Sequence, residues 1–128
     1  MKLKLYLLLI FLVGLINFLP VLGFFSATQL SLAYGVELNS NDLEILMRHR
    51  ALLFGILGGF VFYSLFKPNL RLPALVMTAV SKLGFIYLAW SVGDINEALI
   101  KVTQADLVGL LCLIMALLMG YLLRNDGP

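Results

Sequence analysis

Apolar residues dominate four stretches of the chain, residues 5–25, 51–66, 72–90 and 107–123, while polar and charged residues collect between them. Each stretch is close to the ~20 residues that a helix needs to cross a bilayer core. We read helices over residues 4–25, 42–66, 72–91 and 95–124. With short second and third connections, they make an all-α membrane protein, an antiparallel four-helix transmembrane bundle forming one domain over residues 1–128.

Polar punctuation refines the boundaries. Asn41 suits an N-cap with Glu44 as the reciprocal partner of a capping box, and Asp94 with Glu97 repeats the pattern before the fourth helix. Pro20, lacking an amide hydrogen, is expected to bend or end the first helix near its outer end. Lys67, Pro68 and Asn69 make a turn, and Pro73 fits the first turn of the third helix. Residues 26–40 are mildly polar and broken by Gly35. They suit a short interfacial segment after the first helix, with Leu30, Ala33 and Tyr34 on its apolar side. The start, with Lys2 and Lys4, resembles a signal peptide, but the apolar run is long and Val21-Leu22-Gly23 is a poor cleavage site. A retained first span is therefore expected.

Composition supports the membrane reading: 62% of residues are hydrophobic and 12% charged, with a mean hydropathy of +1.02, well outside soluble globular usage. A net charge of +2 is too small to argue for nucleic acid. Its placement says more. Lys2, Lys4, Lys67, Arg71 and Arg124 fall on one side if the helices alternate, and residues 26–42 contain no lysine or arginine. The positive-inside rule then puts both termini in the cytoplasm of a bacterial cell, with the chain in the inner membrane. Tyr6, Tyr63 and Tyr121 near the inner ends, and Tyr34 and Trp90 near the outer boundary, agree with this. Arg48, Arg50 and Lys101 are the cations placed outside. Cys112 is the single cysteine, so it makes no intramolecular disulfide and no cysteine metal cage, and it reads as a small core hydrophobe.

Two faces carry small residues. On the second helix, the face holding Glu44 and Arg48 continues through Ala51, Gly55, Gly59 and Phe62. On the fourth, Asp106 shares a face with Gly109, Leu113, Ala116 and Gly120. Small residues let membrane helices approach closely, so these two helices are expected to pack together, with an Arg48–Asp106 pair across them.

The candidate ligand or buried polar cluster consists of Glu44, Arg48, His49, Lys82 and Asp106. Read functionally, Arg48 and Arg50 are donors to an anionic headgroup or polar substrate, with His49 between them. Read structurally, these charges fix depth and register at the bilayer surface. Arg48 and Arg50 point about 200° apart on a helix, so they do not serve one ligand together. Lys82 is the more informative residue, because it lies ~15 Å into the third helix at 1.5 Å per residue, near the bilayer midplane. A charge there costs at least ~2.5–3.5 kcal/mol. Its side chain is expected to tilt back toward the helix N-terminus, away from Asp106, leaving Asn17, Ser81, backbone carbonyls or water as partners. A packing contact and a ligand or proton-relay role both stay open for it.

No phosphate loop, Cys-x-x-Cys, histidine pair or Gly-x-Ser-x-Gly is present. No catalytic residue, metal site or cofactor is expected, and an enzyme is the less favoured reading.

The segments LEILMRHRALLFG, KPNLRLPAL, AWSVGDINEAL and ADLVGLL resemble small bacterial four-pass inner-membrane proteins of unknown function, a likeness that covers nearly the whole chain. Some of those carry the label phosphopantetheine adenylyltransferase. Such an enzyme is a soluble nucleotide-binding α/β protein with a His-x-Gly-His motif, whereas this chain has one histidine and no strand-loop-helix signal, so the label is set aside. More distantly, the layout is similar to DoxX-like bundles, some of which are quinone-linked redox subunits. That likeness implies architecture alone.

The first functional expectation is a structural or accessory membrane protein that works through the bilayer, as a homo-oligomer or with a membrane partner protein. The second is a module that holds a quinone, lipid or other amphipathic molecule near Lys82. The third is proton or small-solute passage along Lys82 and Asp106.

Overall fold

The computed structural model describes residues 1–126, and among these no strand occurs. Helix α1 (Lys2–Phe18) passes into a 3-10 turn, Leu19–Val21, and the one-turn helix α2 (Leu22–Phe25). The interruption sits at Pro20, where the missing amide and the ring break the α-helical ladder. Ser26 then adopts an extended conformation and its Oγ accepts from the Gln29 amide at 3.2 Å, starting α3 (Ala27–Tyr34). Gly35 ends α3 in the left-handed region at φ 64°, where a side chain would be strained. The remaining helices are α4 (Asn41–Ser64), α5 (Arg71–Val92), reached through a 3-10 turn at Pro68–Leu70, and α6 (Glu97–Asn125). Lys2–Phe25, Asn41–Ser64, Pro68–Val92 and Glu97–Asn125 are each long and apolar enough to cross a membrane.

Both expected capping boxes shift. Ser40, not Asn41, caps α4, its Oγ accepting from the Leu43 amide at 3.1 Å. Before α6 the cap is Asn96, whose Oδ1 accepts from the Leu99 amide at 2.8 Å. Asp94 instead takes a positive φ of 51° in the turn. The Asn96 amide nitrogen also donates to the Tyr34 and Gly35 carbonyls at 3.1 and 3.0 Å. One side chain therefore starts α6 and ties down the end of α3.

The long helices form a ring in which α1 packs on α4 and α6, and α5 packs on α6 and α4. The backbones of α4 and α6 do not approach closely, which overturns the expected packing of their small-residue faces. The reason lies in what fills those faces. A side chain at Gly55 would meet Val21, one at Gly109 would meet Lys82, and one at Gly120 would meet Tyr6. Gly59 has open space around its Cβ position and takes no part in packing. The packing glycine is Gly58, where a Cβ would lie 2.5 Å from the Phe18 amide nitrogen. Ala51, Gly55, Gly58 and Val61 make the buried face of α4.

Two apolar clusters result. The larger gathers Tyr6, Ile10, Val13, Val61, Leu75 and Leu113, with Ala116 buried among them and Cys112 packed alongside. The smaller gathers Leu30, Tyr34 and Ala51, so within the segment 26–40 a helix forms over Ala27–Tyr34 and buries two of the three expected apolar residues, while Ala33 stays exposed. On α1 and α6, Asn17 and Asp106 fall between the two clusters. The outward faces stay apolar: Leu107, Val108, Leu111, Ile114, Met115 and Leu118 of α6 are all exposed.

Adjacent glycines provide a test. Gly58→Ala should lower the thermal midpoint in detergent, because the obstacle is the backbone of α1 and cannot rotate away. Gly59→Ala should leave it unchanged or raise it, since alanine gains about 0.5–1 kcal/mol over glycine inside a helix. Equal effects from the two would contradict this packing.

Candidate functional site

Lys82 lies ten residues before the end of α5 and Asp106 nine residues after the start of α6, so both stand ~14–15 Å along their helices from the connection at 93–96. They face each other at the same level. The Lys82 ammonium donates to Asp106 Oδ1 at 3.0 Å, with the lysine side chain 2% and the aspartate 17% exposed. This corrects two expectations: Asp106 does not pair with Arg48, and Lys82 does not tilt away from Asp106. The backward tilt of a helix side chain matters little here, because the two residues stand at one level and the lysine reaches straight across to its partner. Gly109, one turn beyond Asp106 on the same face, gives the lysine its path. A Cβ there would fall 2.9 Å from Lys82 Cε and 3.1 Å from its Nζ.

A cavity of about 300 Å³ adjoins the pair. Asn17 reaches it from α1, Gln29 and Tyr34 from α3, Arg50 and Phe54 from α4. Asn17 is 1% exposed. Its amide nitrogen donates to the Val13 carbonyl at 2.7 Å, which fixes the orientation of the amide, since a carbonyl can only accept. Asn17 Oδ1 then has no hydrogen-bond partner. An unsatisfied buried acceptor costs about 1–3 kcal/mol, so this wall of the cavity suits a donor.

Arg50 occupies the cavity margin with its guanidinium over the rings of Phe54, Tyr34 and Phe85, at 4.7, 5.1 and 5.3 Å. Arg48, two residues earlier, points elsewhere. Its Nη1 donates to Glu44 Oε1 at 3.2 Å and its Nε to the Phe24 carbonyl at 2.8 Å. That second bond satisfies a carbonyl at the end of α2 and fastens it to α4. Glu44, Arg48 and His49 line an open surface hollow beside Phe24, and His49 is exposed. The five expected residues therefore divide: Lys82 and Asp106 belong to the cavity, and Glu44, Arg48 and His49 do not.

Nothing in the sequence marks Gln29, Tyr34 or Phe54 as cavity residues, and Arg50, expected as a donor at the bilayer surface, carries no signal that joins it to Lys82 and Asp106. The one usable signal was Asn17, the polar residue inside the apolar run 5–25, weighed only as a partner for Lys82. Among the described residues, no group of three or more His, Cys, Asp or Glu side chains is placed to hold a metal. Compared with protein-family models, curated proteins and solved structures, the chain matches none.

Removing one member of a buried ion pair leaves the other charge uncompensated, at a cost of about 3–5 kcal/mol, whereas replacing both by apolar residues is often neutral. Lys82→Met alone should therefore destabilise the protein strongly, and Lys82→Met with Asp106→Leu should recover most of the loss. Unfolding in mixed micelles measures both. A single variant as stable as the parent would mean the pair is not a structural unit.

Proposed function

We propose that this protein holds the polar head of an amphipathic molecule, a quinone or a lipid, in the cavity beside Lys82 and Asp106. The observation that carries the reading is a cavity bordered by a buried ion pair and by Asn17, whose buried Oδ1 has no partner. Pure packing would be served as well or better by apolar residues at these positions. The surroundings are apolar apart from a few convergent polar groups, the composition of a small-molecule site. The alternative of an interaction protein drew on small-residue faces. Of those residues only Gly59 has open space at its Cβ position, while Gly55, Gly109 and Gly120 meet side chains of the chain itself and Ala116 is buried. That leaves less to support an oligomer or an accessory subunit.

The setting we infer is the bacterial inner membrane, crossed four times by an antiparallel bundle with both termini in the cytoplasm. Supporting the membrane are the apolar outward faces, far beyond the patches that soluble monomers expose, and the likeness to small bacterial four-pass proteins. The alternation is supported by the contacts along α1 and the turn after it, where Gly14, Phe18 and Val21 meet Phe62, Gly58 and Gly55 in turn. The orientation is supported by the cations gathered at one end. Lys2 bridges to Asp126 at 2.7 Å, and Arg71 donates to the Ser64 and Leu65 carbonyls at 3.2 and 2.9 Å while lying over Tyr6.

Native mass spectrometry of the protein, gently extracted from its own membrane, should reveal one stoichiometric added mass that is lost in the Lys82→Met/Asp106→Leu variant. A bare protein, or an added mass that survives the double change, would refute the cavity assignment. For orientation, cysteine is placed at Leu32 or Asn125 in a Cys112→Ser background. Leu32→Cys should react with an impermeant maleimide in intact spheroplasts and Asn125→Cys only after lysis; the reverse order would invert the topology.

A further inference from the structure

Arg50 faces two spaces at once. With Phe54 it borders the cavity and also a groove of about 410 Å³ between α4 and α5, whose walls are otherwise mostly apolar: Leu53, Leu57, Val80, Phe85 and Leu88. Gly84 lies in the groove with open space at its Cβ position. The three rings stack near the guanidinium, and no hydrogen bond from Arg50 to the described residues forms. Rings attract the face of this planar cation. Its N–H edge is the part that binds phosphate or carboxylate oxygens in pairs, and that edge is unused. Charge points the same way. The cavity is bordered by Arg50, Lys82 and Asp106 as its charged residues, leaving one positive charge in excess beside an apolar groove.

We propose that the α4–α5 groove and Arg50 bind an anionic glycerophospholipid whose headgroup bears hydroxyls, of the phosphatidylglycerol kind. The phosphate meets the N–H edge of Arg50, a headgroup hydroxyl donates to Asn17 Oδ1, and one acyl chain lies along Leu53, Leu57, Val80 and Leu88. A neutral head would leave the Arg50 charge unbalanced, and a free phosphate would leave the apolar groove unused. The inference rests on the reading of the cavity as a head-binding site and names its occupant.

Native mass spectrometry of the full chain, titrated with phosphatidylglycerol, with phosphatidylcholine of the same acyl chains, and with inorganic phosphate, tests it. One phosphatidylglycerol should bind per chain, at least tenfold more tightly than phosphatidylcholine, and inorganic phosphate should not displace it. Arg50→Gln should weaken phosphatidylglycerol at least tenfold. Gly84→Phe, which fills the groove and leaves Arg50 in place, should do the same, and a thermal melt of each variant establishes that it is folded. Equal binding of the two lipids, displacement by inorganic phosphate, or indifference to both variants would overturn the assignment. An amphiphile that is lost in Lys82→Met/Asp106→Leu yet indifferent to head charge and to Arg50→Gln overturns this inference and leaves the cavity reading standing. If no amphiphile of any kind binds, both fall.

Discussion

A lysine that is almost fully buried among apolar helices must find its counter-charge within reach of its own side chain, and this requirement organises the middle of the bundle. Lys82 meets it across Gly109 at Asp106. The contact sets the level of α5 against α6, because a shift of either helix by one turn, ~5.4 Å, would separate the charges. A methyl group at position 109 would meet the end of the lysine side chain, so glycine there leaves it the straightest path to Asp106. A buried pair of this kind adds little net stability over apolar side chains of similar volume. Its contribution is to single out one register among several that the apolar surfaces would accept. Apolar contact alone discriminates weakly between such registers, as the attraction is non-directional.

The existence and extent of the four long helices were legible in the hydropathy pattern, because a helix of this length and composition needs little else to specify it. The small helix at 27–34 was legible in Gly35 and in the spacing of Leu30 and Tyr34. Helix neighbours were not. The Gly55/Gly59 spacing pointed to the wrong member of a glycine pair, since the face of α4 that is buried advances through Gly58 and the adjacent Gly59 lies off it. Pairing α4 with α6 followed from matching two small-residue faces, but a small residue says only that something approaches. Here the approaching groups are Val21, Phe18, Lys82 and Tyr6, all from α1, α5 or the turn after α1.

The candidate site shows the same division. Lys82 was conspicuous because an intramembrane cation has a large and calculable cost, and Asp106 because it shares a face with glycines. Their pairing was obscured by the backward tilt expected of a helix side chain, which decides little for two residues that stand at one level and meet across Gly109. Arg48 and Arg50 were separable by angle, and the structure gives them unlike surroundings: one anchors α2 to α4 through a backbone carbonyl, the other lies among three aromatic rings from α3, α4 and α5. Which of the two faced inward depended on where α3 folds back. That is a tertiary fact carried by Ser26, Gly35 and Asn96 rather than by the arginines.

Asn96 has a further consequence. Gln29 and Tyr34 form part of the cavity wall from α3, and the end of that helix is held by two hydrogen bonds from the same amide whose oxygen caps α6. Lifting the end of α3 away from the cavity and fraying the first turn of α6 are therefore coupled motions. The wall that α3 contributes is thus braced from the start of α6 by a residue whose own side chain does not line the cavity.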